Sequence, residues 1–215
     1  MTIITLDEAK QWYADADPVH DFDHVLRVYR IAERLARAEG GDLEIVRAAA
    51  LLHDSSGSSP GNVDGHRAEH HIASADFAGE ILMAKNCPEA FITAVQHCIR
   101  SHRYRGNENQ PQTLEAQILF DADKLDVLGA VGAARTIAYA VLDGQPVYAE
   151  PSDLFLSEGK LTPEEPHSAY HEFLFKLRNV QERLFTTSGK ALAADRHQYL
   201  VGFFAQLQAE VRGER

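Results

Sequence analysis

An all-α fold, a single-domain helical bundle, is predicted for this chain of 215 residues by three observations. Apolar residues recur at helical spacing almost from end to end. No period-two stretch exceeds a few residues, and there is no internal repeat or low-complexity tract. Helix starts and stops bracket the periodic segments. One domain is expected, with a helical core over about residues 20–142 and a helical extension over about 167–212.

The elements follow in order. Asp21 to Glu39 carries Val25, Val28, Tyr29, Ala32, Leu35 and Ala36 on one face, and Gly40-Gly41 stops it. Asp42 caps a second helix, LEIVRAAALLHD, whose face runs Val46, Ala49, Ala50, His53. Residues 55–65, SSGSSPGNVDG, are loop by composition. His66 to Asn86 reads as a third helix, Pro88 opens a fourth that ends near His102, and 103–112 are polar loop. Thr113 caps the next helix, TLEAQILFDADKLDVLG. It continues into GAARTIAYAVLDG, with Gly129 and Gly132 as bends or close-packing points. Residues 143–166 form the longest irregular segment, of a length that often serves as a lid or binding element. Ser168 to Arg215 returns to helix, broken near Thr186 to Gly189.

Composition narrows the function. Hydrophobic residues at 45% and charged residues at 25% are ordinary for a globular chain. No apolar stretch approaches the ~20 residues that span a bilayer, and MTIITLDEAK lacks the basic-then-apolar pattern of a secretion signal. Cys87 and Cys98, outside any C-x-x-C, suggest reduced thiols and a cytoplasmic location. A net charge of −11 repels a phosphate backbone, so neither nucleic acid nor a membrane surface is expected as partner. A small phosphorylated ligand stays compatible, because a bound divalent ion inverts the local field. Eleven histidines direct attention to metal binding and acid–base chemistry.

The pair His53-Asp54 ends an apolar helix, and His53 continues the face of Val46, Ala49 and Ala50. Its imidazole should therefore point into the core, where a polar group needs a partner. A core histidine bonded to a backbone carbonyl is one solution. Two further features point to another. His24 lies among Val25, Val28 and Ile31, and Asp123 lies on a later face with Ala116, Leu119, Phe120 and Val127. A carboxylate on an apolar face is costly unless neutralised or coordinated. One divalent ion among two imidazoles and two carboxylates would satisfy all four groups, and such N/O ligation suits Mn, Fe, Co, Ni or Zn better than Ca. Periodicity alone leaves Asp121 and Asp126 open as alternatives to Asp123, since each also shares a face with leucines.

The order H…HD…D resembles the HD superfamily of metal-dependent hydrolases, on HDFDHVLRV, AAALLHD, DADKLDVLGAVGAAR and HEFLFKL. The likeness runs over roughly residues 20–210, toward its small standalone bacterial members. It implies His24, not His20, as the first ligand, with His53, Asp54 and Asp123 completing the set. It also implies hydrolysis of a phosphate ester or anhydride, often in a nucleotide, by water activated at a divalent ion (Mn, Fe, Co, Ni, Mg or Zn). Ser55-Ser56-Gly57-Ser58 stands where alarmone hydrolases carry acidic residues, and no Gly-Tyr-Pro signature marks the cyclic-dinucleotide branch. Neither specific activity is expected. The same scaffold in other members holds two irons and oxidises its substrate with O₂, and a non-enzymatic metal- or nucleotide-binding module is a further alternative.

Between the HD pair and Asp123 lie His66, His70, His71, His97 and His102. Members with two metals take an extra histidine from each of two intervening helices. His70 or His71 and then His102 fit that order, as second-metal or phosphate contacts. Lys124 and Arg27 are candidates to neutralise phosphate oxygens. Asp54, Lys124 and His102 are the catalytic candidates, while Arg27, Arg135 and Lys176 are possible substrate contacts, and His171 and Lys176 match the HxFxxKL-like C-terminal segment. Asp126 and Asp64 are possible general bases. Tyr170, Phe173, Phe175 and Phe185 read as core and not as a base-stacking platform.

Overall fold

A computed structural model describes residues 3–13, 22–56, 70–103 and 109–215. His20, Asp64 and His66 lie outside the described residues. The protein is all-α, and no strand occurs among the described residues. The chain divides into two compact units: Met1–Asp123 with Leu184–Gly189, and Lys124–Arg183 with Lys190–Arg215.

In the first unit, α1 (Leu6–Lys10) is capped by the Thr5 side chain and leads into a 3-10 turn, Gln11–Tyr13. The long helix α2 (Phe22–Glu39) buries His24, Val28, Ile31 and Leu35, one stripe at i, i+4, i+7, i+11. Gly40 ends it with φ +81°, a left-handed conformation open to glycine. The Asp42 carboxylate then accepts from the Glu44 and Ile45 amides and starts α3 (Leu43–Leu52). Helix α3 is the central element: Ala48 to Leu52 are all buried, and it packs against α1, α2, α4 (His70–Ala84) and α5 (Glu89–Ser101). An apolar run without amphipathic alternation is what a helix surrounded on all sides requires.

Helix α6 (Leu114–Leu125) starts where the Thr113 hydroxyl accepts from the Ala116 amide. It carries the fully buried Asp121, whose carboxylate accepts from the Phe185 and Thr186 amides at 2.9 and 2.8 Å and from the Thr186 hydroxyl at 2.6 Å. Asp121 thereby pins Leu184–Gly189 to α6, within the first unit.

In the second unit, the turn 126–128 separates α6 from α7 (Gly129–Leu142), so the expected continuous helix is broken. Gly129 takes φ +72°, and a Cβ on Gly132 would sit 2.2 Å from the Val127 carbonyl oxygen. Both glycines are needed for that tight corner. The segment expected to be irregular contains a helix, α8 (Asp153–Glu158), capped by Ser152 and closed by left-handed Gly159. Its neck closes where the Ala169 amide donates to the Pro146 carbonyl at 3.2 Å. Beyond it come α9 (Ala169–Phe175), a 3-10 stretch Leu177–Arg183, and α10 (Thr187–Val211). Tyr170 and Phe173 are buried against Phe204 as expected of core aromatics, but Phe175 is 58% exposed.

Candidate metal centre

The centre is built from the terminal turns of five helices. His53 follows the last residue of α3, where three carbonyls lose their helical partners. Side chains bond all three, and the Ser55 amide also donates to Leu52 O at 3.2 Å. His53 Nδ1 bonds Ala50 O at 2.8 Å, the Tyr13 hydroxyl donates to Leu51 O at 3.0 Å, and the Ser55 hydroxyl donates to Leu52 O at 2.8 Å. A carbonyl only accepts, so His53 carries a proton on Nδ1 and turns Nε2 inward. His102, at the C-cap of α5, repeats the device with Nδ1 on Ile99 O at 2.6 Å. His24 comes from the buried face of α2, Asp123 from α6 and His70 from the first residue of α4.

Around Asp54 these groups form two sets that share the carboxylate. His24 Nε2 and His53 Nε2 lie 3.7 and 3.6 Å from Asp54 Oδ2, 3.4 Å from each other, and His24 Nε2 lies 3.6 Å from Asp123 Oδ1. On the other side, His70 Nε2 and His102 Nε2 lie 3.1 and 3.4 Å from Asp54 Oδ1. His24, His53 and His102 are at most 2% exposed, and the Asp54 side chain 15%. Burial pushes His102 down to about 4, against the pull of Asp54, so this ring is neutral near pH 7.

These residues fit a divalent cation. Ligand atoms 2.0–2.2 Å from an ion at tetrahedral angles stand roughly 3.3–3.6 Å apart, which matches the spacing of His24, His53, Asp54 and Asp123. The Nε2 of His53 and of His102 face carboxylate oxygens as lone pairs, an arrangement that repels without positive charge between them. Asp54 Oδ1 is a buried oxygen without a well-formed hydrogen bond, although His70 Nε2 and His102 Nε2 stand 3.1 and 3.4 Å from it. A buried oxygen left in that state costs about 1–3 kcal/mol, which a cation relieves. His24, His53 and Asp123 form one group able to hold an ion, and Asp54, His70 and His102 a second.

Of the two adjacent α4 histidines, His70 supplies the ring that reaches Asp54, while the ring centroids of His71 and His102 are 6.5 Å apart. His97 is engaged elsewhere, accepting from the Gln112 amide at 3.2 Å. Arg27 is half-buried one turn beyond His24, and Lys124 is half-buried beside Asp123 in sequence. In the second unit, Arg135 binds the buried Asp126 carboxylate at 2.6 Å, so that carboxylate is held in an ion pair. Lys176 pairs with Glu172 at 2.6 Å on the surface. His171 is buried between Ser168 and Glu165. Two residues of the centre escape a sequence reading. Tyr13 acts only through its hydroxyl on Leu51 O, and Arg103, in what reads as loop, places Nη1 2.8 Å from His70 Nδ1.

An all-helical unit whose HD pair, upstream histidine and downstream aspartate converge on one point defines a class, and the comparisons agree with it. Residues 21–128 match the HD domain model, and the chain belongs to that family. It is 29% identical over 202 residues to the uncharacterized protein YpgQ of Bacillus subtilis, covering 93% of this chain and 88% of YpgQ. The structure of YpgQ in complex with ADP aligns over 97% of this chain and 99% of its own, with a TM-score of 0.73 and 26% identity. A Lactobacillus plantarum protein structure aligns over 97% and 95%, with a TM-score of 0.72 and 31% identity. An HD-superfamily hydrolase of Bacillus thuringiensis aligns over 96% and 94%, at 0.68 and 26%.

Proposed function

We propose that the protein is a cytoplasmic, metal-dependent phosphohydrolase acting on a small phosphorylated metabolite, with a nucleotide as first choice. The observation that carries this reading is the Asp54 carboxylate, faced by pinned imidazoles and left with one buried, unsatisfied oxygen. His24, His53, Asp54 and Asp123 would hold the ion. Bound there, a divalent ion acidifies water and polarises a phosphoryl oxygen. His53 stays fixed as a ligand because its other nitrogen is committed to Ala50 O. Asp54 lies between the two sets of imidazoles and turns one oxygen toward each. Lys124 and Arg27 supply positive charge for phosphate oxygens, Arg27 with bidentate geometry. The complex of YpgQ with ADP supports a nucleotide as ligand.

The test is a nucleotide panel with Mn²⁺, Co²⁺ and Mg²⁺, read as phosphate or pyrophosphate release. Release from at least one nucleotide is expected, lost with His24→Ala and reduced roughly tenfold with Lys124→Ala. Inactivity of fully metallated protein across the panel would remove nucleotides as substrates. The second group, Asp54, His70 and His102, favours one other reading, a two-iron oxygenase. Iron stoichiometry and O₂ consumption separate it from the hydrolase.

A further inference from the structure

We infer that Arg103 restricts the centre to one ion by holding His70 in the tautomer that a second ion cannot use. The inference rests on reading the centre as a metal site. Arg103 Nη1 lies 2.8 Å from His70 Nδ1. A guanidinium carries only donors, so Nδ1 must be the acceptor. The ring's single proton therefore sits on Nε2. That is the nitrogen 3.1 Å from Asp54 Oδ1, and the one whose lone pair an ion among Asp54, His70 and His102 would need.

His53 and His102 are set the opposite way. Each commits Nδ1 to a helix carbonyl, at 2.8 Å on Ala50 and 2.6 Å on Ile99, and keeps Nε2 as a lone pair. The inward rings are thus not equivalent, for His53 and His102 offer acceptors to a cation while His70 offers a donor. Without His70 the second group retains, among the described residues, only Asp54 Oδ1 and His102, fewer than the three protein ligands of ordinary catalytic sites. The Nε2–H so presented suits an anionic oxygen, which is the chemistry of a phosphoryl group as well as of Asp54. Arg103 is a positioning residue, and it acts on ion number through His70.

The experiment titrates the full chain with Mn²⁺ and reads stoichiometry by metal analysis and pairing by electron paramagnetic resonance. Wild type should saturate at one ion per chain with the spectrum of an isolated ion. Arg103→Met should take up a second ion and show a spin-coupled pair, and Arg103→Met with His70→Ala should return to one. Where the methionine variant fails to fold, Arg103→Gln tests the same point, because its amide oxygen accepts from Nδ1–H. A coupled pair in wild type overturns the inference. So does a folded Arg103→Met or Arg103→Gln that saturates at one ion over the same range. Wild type that takes up no ion overturns the metal reading as well, which the uncoupled one-ion signal and its loss in His53→Ala monitor separately.

Discussion

Among the described residues, two histidine–carboxylate clusters, one in each compact unit, differ in how fully their hydrogen bonds are made. In the second unit, the Glu165 carboxylate accepts from the Ser152 amide and hydroxyl at 2.7 and 2.6 Å and from the Thr162 amide at 3.0 Å. His171 donates to it at 3.0 Å and accepts from Ser168 at 2.7 Å. Every polar atom named there has a protein partner, and the cluster ties together a loop whose neck closes at Pro146 and Ala169. Around Asp54, by contrast, lone pairs face a carboxylate and one buried oxygen has no hydrogen bond. Residue types do not distinguish a structural knot from a site. What distinguishes them is whether the protein alone satisfies the buried groups.

The largest effect expected from this contrast is in the first unit. His53→Ala or Asp54→Ala should bring metal content from about one ion per chain to background, and should cost about 3–5 kcal/mol of holoprotein stability by leaving charge unpaired. Metal analysis alongside thermal melts checks it. Either variant at full occupancy would break the distinction between the clusters. Next comes the pair on α6. Asp123→Ala should abolish tight metal binding. Asp121→Ala should keep most of it while losing about 3 kcal/mol, since two amides and a hydroxyl lose their acceptor. Isothermal titration with Mn²⁺ and chemical denaturation separate the two outcomes, and the reverse pattern would move the ligand by two residues.

How much of this the sequence made legible follows from what each signal rests on. Periodicity located α2 and α3 because a buried stripe and a buried run are written in residue order, and the Asp42 and Thr113 caps are local motifs. The four residues nominated as ligands come together in space, although their selection, Asp123 over Asp121 above all, came from the family resemblance. Asp121 looked as eligible because periodicity reports only that it is buried. Its partners, Phe185 and Thr186, lie more than sixty residues away. The same distance effect hid Tyr13. Helix α8 was missed because a short helix between Ser152 and Gly159 carries too few turns for a periodic signal, and the carboxylate that organises its loop lies outside it. The C-terminal basic candidates are exposed or paired within their own unit: Arg135 belongs to Asp126 and Lys176 to Glu172.

The second cluster yields a smaller and more local expectation. Hydrogen bonds from Ser152 and Thr162, with His171 adding to them, hold the Glu165 carboxyl well below its ordinary value of 4.5. A carboxyl with a depressed folded value stabilises the folded form above the unfolded value, and that contribution is lost as pH falls through the folded one. Protection of amides 147–166 from hydrogen exchange should therefore persist at neutral pH and fall progressively below about pH 4.5. Glu165→Gln should show reduced protection at every pH and lose that acid dependence, with Mn²⁺ affinity unchanged. An unaltered exchange pattern in Glu165→Gln would mean that the loop is held by something other than this carboxylate.

The smallest effect expected is at Tyr13, and it probes whether the last turn of α3 must be fully capped for the centre to form. The phenol is buried at 4% exposure and donates to Leu51 O, two residues before His53. Burial, with the nearby Asp54 charge, pushes its pKa well above the ordinary value, so the hydroxyl remains a donor across the working pH range. Tyr13→Phe keeps the ring and its packing near Phe22 and removes one hydrogen bond from one carbonyl. Loss of a single neutral bond costs about 1 kcal/mol. Because the carbonyl belongs to the turn that aims His53 and Asp54, part of that cost should appear as weaker metal binding, up to about tenfold in Kd for Mn²⁺. Thermal melts of the metal-free and metal-loaded variant divide the cost between fold and site. If Tyr13→Phe melts lower by the same amount in both forms, and its Kd for Mn²⁺ equals that of wild type, the hydroxyl supports the helix end without positioning the ligands. A larger loss in the metal-loaded form identifies the capped turn as part of what holds His53 and Asp54 in place.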